Sequence, residues 1–212
     1  MPESTRERTF TVRHLQLARA LFAIIAAVMI TFSPDHSASV GLAAFSGFVT
    51  ATALVFFLSA WLVFGRGQRA LPILLGLLAV AAGAAASVPA WRTPAGFFSV
   101  VIVWALVSGL VEGIAGLRAL RGSERGSAER SEARDALTVG AVGVVLALGL
   151  VLPTGFAPLE YYIEDAGRTF TLTGITIGVG LFGAYAAIVG VYLAIAGFSP
   201  RRETLAPGKD AA

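Results

Sequence analysis

The sequence has few charges and no cysteine, and both shortages narrow what the protein can be. Only 14% of its 212 residues are Asp, Glu, Lys or Arg, whereas a soluble domain carries about 25%. The lack of cysteine excludes disulfides, thiolate metal sites and a cysteine nucleophile. The sequence also lacks a G-x-S-x-G elbow, a Walker lysine loop and an H-E-x-x-H helix. It therefore predicts no catalytic residue, no cofactor and no enzyme.

Long apolar runs take the place of the missing charges. Hydrophobic residues make up 56% of the chain, and the mean hydropathy is +0.78. A helix needs about 20 apolar residues to cross the hydrocarbon core, and the runs are continuous rather than alternating, which favours helices over a membrane barrel. The fold is predicted to be all-α, with six transmembrane helices as three tandem hairpins. The predicted spans are about 14–32, 39–64, 70–88, 96–120, 136–152 and 171–198.

These spans form one transmembrane domain, 14–198, between polar tails at 1–13 and 199–212. A competing interpretation makes the first span a cleaved signal peptide, because arginines precede a short apolar segment. The first hairpin has the same layout as the later two, which favours a retained helix. Each hairpin consists of a helix, a proline-bearing turn, a second helix and an arginine-flanked end.

The arginines predict the orientation of the chain. If the arginine-flanked ends share one side, that side holds all of the 16 Lys and Arg residues except Arg92 and Arg168. Because cytoplasmic loops carry the excess of Lys and Arg, both termini are predicted to lie in the cytoplasm. The segment 118–135 alternates arginines with acids and is predicted to be a solvated linker on the same side, with a helical turn that continues into the fifth span as the alternative.

Small residues predict how the helices pack. Gly109 and Gly113 form a G-x-x-x-G pair in the fourth span, and Gly174 and Gly178 form another in the sixth. Such pairs let helix backbones approach closely in lipid. Packing within the bundle is favoured over an oligomer interface, although a homo-oligomer stays open as an alternative.

Two charged residues, Arg19 and Glu112, lie away from the ends of their predicted spans. Glu112 is six residues before Arg118, which places it about 9 Å inside the boundary at helical rise. Arg19 lies at a comparable depth on the first span. Because intramembrane charges usually face the bundle interior and pair, Arg19 and Glu112 are predicted to form an ion pair. The pair could fix helix register, or Glu112 could have a proton- or substrate-linked role; exposure at a fraying helix end is the third alternative.

The loop 153–170 carries a cluster of three carboxylates, Glu160, Glu164 and Asp165, beside two tyrosines. Carboxylate oxygens are ligands for hard divalent cations. The spacing does not match an EF-hand, however, and aromatic residues at this depth are typical of the interfacial belt. We therefore predict a short interfacial helix here in preference to a metal site.

Two stretches, 17–58 and 97–122, resemble the opening hairpin and the fourth helix of the HdeD family. The shared features are an arginine inside the first helix, a proline turn, and a helix with spaced Trp, Gly and Glu that ends in arginines: Arg19, Pro34, Trp104, Gly109, Glu112, Arg118 and Arg121. The third hairpin departs from this pattern. The resemblance implies a small six-helix protein of the bacterial inner membrane. It also implies a link to acid resistance, which one family member has.

The predicted function is accordingly a non-enzymatic membrane protein, HdeD-like, that supports tolerance of acid or envelope stress. The alternative is a small transporter or channel subunit that uses Glu112, and a membrane enzyme is the third hypothesis. A water-accessible cavity that converges on Glu112 would favour transport, and a tight bundle would favour a structural role. The predicted partner is the lipid bilayer. Nucleic acid is not expected, because the arginines flank apolar spans and alternate with acids. The sequence identifies no small-molecule substrate.

Overall fold

The computed structural model describes residues 10–124 and 126–199. Six helices in this part of the chain are long and apolar enough to cross a membrane, so the predicted all-α multi-pass architecture is confirmed. They are α1 Val12–Phe32, α2 Ala38–Leu62, α3 Ala70–Ser87, α4 Pro94–Gly122, α5 Ala128–Val151 and α6 Gly174–Phe198. Residues 1–9 and 200–212, which make up most of the predicted tails, and Arg125 lie outside the described residues.

Hydroxyl side chains cap the starts of four of the helices. Ser37, Thr93, Ser127 and Thr173 each accept a hydrogen bond from the backbone N–H three residues ahead. Such a cap satisfies one of the N–H groups that the first turn of a helix leaves without a partner. Short polar turns thus set where these helices begin.

The bundle has two ends with different connections. The basic end holds the turns 63–69 and 123–127, and the hairpin end holds 33–37, 88–93 and the longer connection 152–173. A linker over the whole of 118–135 is wrong, because α4 continues through Gly122 and α5 already begins at Ala128, as in the alternative of a helix that continues into the fifth span. The cap at Ser127 starts α5 early, and Glu129 in its first turn interacts favourably with the helix dipole.

The six helices form a closed ring in which each packs against the next and α6 packs against α1. The most extensive packing is between α4 and α5, between α1 and α6, and between α2 and α3. Packing within the predicted hairpins, α1–α2, α3–α4 and α5–α6, is smaller. Large and small interfaces therefore alternate around the ring, as expected for three two-helix repeats about one axis.

Glycines seven residues apart support each of the three large interfaces. Seven residues are close to two helical turns, so these glycines lie on one face of their helix. Gly76 and Gly83 face α2, Gly109 and Gly116 face α5, and Gly183, Gly190 and Gly197 face α1. Glycines thus lie where helices of the same chain pack closely, as the sequence predicts.

Five aromatic rings fill the centre of the bundle and come from the even-numbered helices. This central aromatic cluster consists of Phe45, Phe48, Trp104, Phe182 and Tyr185, whose neighbouring rings pack edge to face with centroids 5.2 to 6.5 Å apart. Edge-to-face contact is a favoured arrangement for aromatic rings. Along the helices the cluster lies between the hairpin end and the depth of Glu112.

The connection between α5 and α6 contains a two-stranded antiparallel hairpin, β1 Leu159–Ile163 with β2 Arg168–Leu172. The predicted short interfacial helix is therefore wrong. Bulky residues that favour strands occupy β1, and Gly167 adopts a left-handed conformation (φ 60°) in the turn. Glu160 lies on β1, whereas Glu164 and Asp165 lie in the turn. Across the described ranges, no three Asp, Glu or His residues are grouped so that they could hold a metal ion.

Candidate functional site

Arg19 and Glu112 lie together inside the bundle. Arg19 Nη1 donates to Glu112 Oε1 at 2.7 Å, and Nη2 donates to Oε2 at 3.1 Å. The side chains are only 12% and 10% exposed. This two-point geometry is the strong form of the arginine–carboxylate interaction. The structure therefore joins the two residues that the sequence placed at the same depth.

The pair links three helices. Arg19 comes from α1 and Glu112 from α4, and the Arg19 guanidinium also lies over the ring of Phe56 on α2, 4.7 Å from its centroid. A cation over an aromatic face is attracted by the ring quadrupole. The guanidinium is thus held by a carboxylate and a ring at once, in a site that excludes most water.

A large cavity opens at the basic end and ends at this pair. The vestibule, as we call it, has a volume of about 510 Å³, and all six helices contribute to its wall. One wall residue from each helix is Gln16, Phe56, Leu75, Glu112, Asp135 and Leu193. Small-molecule sites commonly have volumes of about 300 to 1,000 Å³. The vestibule is therefore large enough for a small organic solute.

A second, much smaller cavity lies beside the pair. Its volume is about 30 Å³, and its wall includes Arg19, Glu112 and Thr52 as well as Trp104 and Tyr185 of the central aromatic cluster. This inner cavity has room for about one water molecule. The Arg19–Glu112 pair therefore lies in the walls of both cavities, between the open vestibule and the closed centre of the bundle.

Arg19 and Thr52, which line the inner cavity, each have a buried polar atom without a hydrogen-bond partner among the residues that the structure describes. These atoms are Arg19 Nε and Thr52 Oγ1. Thr52 is only 5% exposed, so its hydroxyl is shielded from bulk water. An unsatisfied buried polar group costs roughly 1–3 kcal/mol, and such groups are rare in folded proteins. These two atoms therefore point to a water molecule or a ligand that binds in the inner cavity.

Three further carboxylates line the vestibule along one face of α5. Glu129, Glu132 and Asp135 are spaced by three residues, so they follow that face from the mouth of the vestibule inward. Asp135 is held deepest, because Gln16 Nε2 donates to its Oδ2 at 2.6 Å and the Tyr192 hydroxyl donates to its Oδ1 at 3.0 Å. We call these three residues the acidic face.

Arg130, which lies between Glu129 and Glu132 in the sequence, binds backbone carbonyl groups. Arg130 Nη1 donates to the carbonyl oxygens of Leu120 and Ser123, each at 3.1 Å, and so closes the turn between α4 and α5. Sequence reasoning missed the acidic face, because it took this segment for a linker of mixed charge. The signal was present in the spacing of the acids, which a helix beginning at Ala128 turns to one side.

The other predicted site residues lie elsewhere. Glu160, Glu164 and Asp165 are in the β-hairpin at the hairpin end, on the far side of the bundle from the vestibule. The structure thus brings Arg19 and Glu112 to a cavity and leaves the carboxylates of the β-hairpin apart from it.

In comparisons with models of known protein families, with curated proteins and with solved structures, no match to this chain is found.

Proposed function

We propose that the protein is a small transporter that binds a solute in the vestibule and passes it across the membrane by way of Arg19 and Glu112. The observation that carries the proposal is a cavity of about 510 Å³ that ends at a buried ion pair. A bundle with only a structural role has no need for such an opening, since it would lose packing contacts along the cavity walls.

The vestibule opens toward the basic end. Packed rings of the central aromatic cluster lie between Glu112 and the hairpin end, and we infer that they close that side of the site. A transporter needs a state of this kind, in which the binding site faces one compartment only. The interfaces within the three hairpins are the smaller ones, so they are the natural places for the bundle to move when the opposite side opens.

The basic end carries the excess of Lys and Arg, and cytoplasmic loops are the ones that carry such an excess. We therefore place the basic end and the vestibule on the cytoplasmic side. The resemblance to the HdeD family stays a prediction, and a role in acid or envelope stress tolerance is part of it. Movement of a solute across the inner membrane of a bacterium is compatible with that role. Glu112 and Arg19, which carry part of the resemblance, are also the residues at the end of the vestibule.

Cysteine labelling tests whether the vestibule is open to water and which way it faces, because the natural chain has no cysteine. Ala115→Cys, in the vestibule wall, should react with a membrane-impermeant maleimide in inverted vesicles and not in intact cells. Thr169→Cys, on the exposed hairpin strand, should show the opposite pattern. Ile114→Cys is the matched control at the same depth, since its side chain is exposed on the outside of the bundle and should stay unlabelled in lipid. An unreactive Ala115→Cys would contradict an open vestibule.

Uptake into proteoliposomes tests transport itself. We expect labelled uptake of at least one of three probes, benzyltrimethylammonium, benzylsulfonate or phenyl glucoside, at about ten times the rate of protein-free liposomes. Glu112→Gln should reduce that uptake by at least the same factor, because the carboxylate at the end of the vestibule is lost. Arg118→Gln, an exposed arginine on the same helix, is the control and should transport normally. If no probe enters above background, the transport proposal is wrong.

A further inference from the structure

A third cavity lies on the side of the bundle, between α3 and α4, and we call it the lateral groove. Its volume is about 610 Å³, within the range of about 300 to 1,000 Å³ that is common for small-molecule sites. Apart from Thr93 and Ser99, the side chains that line it are apolar, and most of those on α3 are alanines. Small side chains thus leave a space between two helices that the membrane surrounds.

The lateral groove has the length of one membrane leaflet. On α4 its wall runs from Ala95 to Val107, which is about 18 Å at helical rise. The hydrocarbon core is about 30 Å thick, so one leaflet accounts for about 15 Å of it. The groove begins at the hairpin end, where α3 ends and α4 starts, and therefore reaches about the centre of the bilayer. An acyl chain of a lipid in the leaflet at the hairpin end has this length and direction.

The inner end of the lateral groove reaches the core of the bundle. Trp104 lines both the groove and the inner cavity, although it is only 8% exposed. Water is a poor occupant of this space, because a bound water molecule needs about two to four polar partners. The Thr93 hydroxyl already accepts from the backbone N–H of Gly96. The apolar walls therefore favour a hydrocarbon chain.

The outer end of the lateral groove carries a charge that suits a phosphate. Arg92 lies between Trp91 and Thr93, and both of these neighbours line the groove. Arg92 is exposed, and it makes no ion pair within the described part of the chain. A guanidinium can bind a phosphate at two points, and tryptophan is typical of the level of the lipid headgroups.

We propose that the lateral groove binds one phospholipid of the leaflet at the hairpin end, with an acyl chain that reaches Trp104 and a phosphate at Arg92. This proposal goes beyond the transport function and does not depend on it, since it uses neither Arg19 nor Glu112. A helix of a second copy fits the groove less well, because a helix with its side chains is about 10 Å wide and would not reach a ring as buried as that of Trp104.

Quenching of Trp104 by brominated phosphatidylglycerol tests the proposal in the full chain in nanodiscs. The bromines lie near the methyl end of the acyl chains, and Trp61→Phe with Trp91→Phe leaves Trp104 as the only tryptophan. Two chains in which all three tryptophans are replaced by phenylalanine supply the references. Leu21→Trp, exposed on α1 at a similar depth, should be quenched. Tyr185→Trp, in the same aromatic cluster but outside the groove wall, should not be quenched.

Trp104 should lose the same fraction of its fluorescence as the exposed reference, although it is as buried as Tyr185. Quenching of Trp104 no greater than that of the Tyr185→Trp reference would overturn the proposal. This comparison needs no change of a groove residue other than Trp91, so it decides the question even if a variant with a filled groove fails to fold.

Filling the groove tests the route of the chain. Ala81→Phe with Ala85→Phe, both in the groove wall, should protect Trp104 from quenching. Val80→Phe with Ala84→Phe is the matched control, because these residues have the same spacing on α3 and are exposed outside the groove wall. Equal quenching in the two pairs would contradict binding in the groove. So would an unquenched Trp104 in an oligomer that Ala81→Phe with Ala85→Phe converts to monomers, which would assign the groove to a second copy.

A mixed bilayer tests the phosphate. Brominated phosphatidylglycerol is mixed with an equal amount of unbrominated glucosyl diacylglycerol, which has no phosphate. Quenching of Trp104 should show a preference for the phospholipid of about threefold. Arg92→Gln should remove this preference, whereas Arg168→Gln should keep it, because the Arg168 guanidinium lies over the ring of Phe170 in the β-hairpin. If Arg92→Gln keeps the preference, the assignment of the phosphate to Arg92 is wrong.

Discussion

Replacing Arg19 with methionine should lower the free energy of unfolding by about 3–5 kcal/mol, because it leaves the carboxylate of Glu112 buried without its partner. Glu112 is among the buried residues of α4, and the protein interior offers little to solvate a free charge. Glu112→Met should have a similar effect, since it leaves the guanidinium of Arg19 inside the bundle. The measurement is equilibrium unfolding in mixed detergent micelles, followed by tryptophan fluorescence.

The double variant Arg19→Met, Glu112→Met completes the cycle and separates the two roles that the sequence left open. Replacement of a whole buried ion pair by apolar residues is often neutral or stabilising, so the double variant should recover most of the lost stability. It should nevertheless take up no solute, because the charged groups at the end of the vestibule are gone. Recovery of both stability and uptake would show that the pair only fixes helix register.

Arg118→Met is the control for this cycle. Arg118 lies on α4 near the basic end and its side chain is exposed, so its loss should change the free energy of unfolding by less than about 0.5 kcal/mol. If Arg19→Met were no more destabilising than Arg118→Met, the buried ion pair would contribute nothing to the fold.

The ion pair was predictable from the sequence because burial in lipid makes charges rare and forces them to pair. Two charges at matched depths on uncharged spans leave few alternatives, and depth along a helix follows from residue number alone. The six helices were predictable for the same reason, since each long apolar run must satisfy its own backbone hydrogen bonds. These features depend on composition along the chain and need no knowledge of which helices touch.

The vestibule was not predictable in the same way. It depends on how six helices pack around a common space, and no single segment of the sequence encodes that arrangement. The acidic face illustrates the difficulty: Glu129, Glu132 and Asp135 alternate with arginines in the sequence, and only a helix places all three along one wall of the vestibule. The β-hairpin was missed because its strand preference lies in a few bulky residues between two apolar spans, where the neighbouring helices dominate the pattern.

The spacing of the glycines was only partly understood from the sequence. The sequence predicts a pair at Gly109 and Gly113, and in the structure both lie against Gly140 on α5; Gly116 and Gly143, which the sequence does not single out, extend the same contact. The four-residue pair marks a close contact, but the partner helix cannot be identified from one helix alone. The identity of the partner matters here, because α5 carries the acidic face and α4 carries Glu112.

Gly140→Ala should destabilise the bundle by about 3 kcal/mol, at the upper end of what overpacking usually costs. A Cβ at this position would clash with the backbone of α4 at Gly113 and Gly109. Backbone atoms cannot rotate away as a flexible side chain would, so the two helices would have to separate. The midpoint of detergent-induced unfolding gives the change in stability.

Gly149→Ala is the matched control on the same helix, because a Cβ there meets nothing within 4 Å. It should leave stability unchanged or raise it slightly, since alanine favours a helix over glycine by roughly 0.5–1 kcal/mol. Separation of α4 from α5 would also disrupt the vestibule wall, to which both helices contribute, so Gly140→Ala should reduce probe uptake even under conditions where the protein stays folded. If Gly140→Ala behaved like Gly149→Ala in both measurements, the close approach of α4 and α5 would be wrong. The vestibule wall that depends on this contact would then be wrong with it.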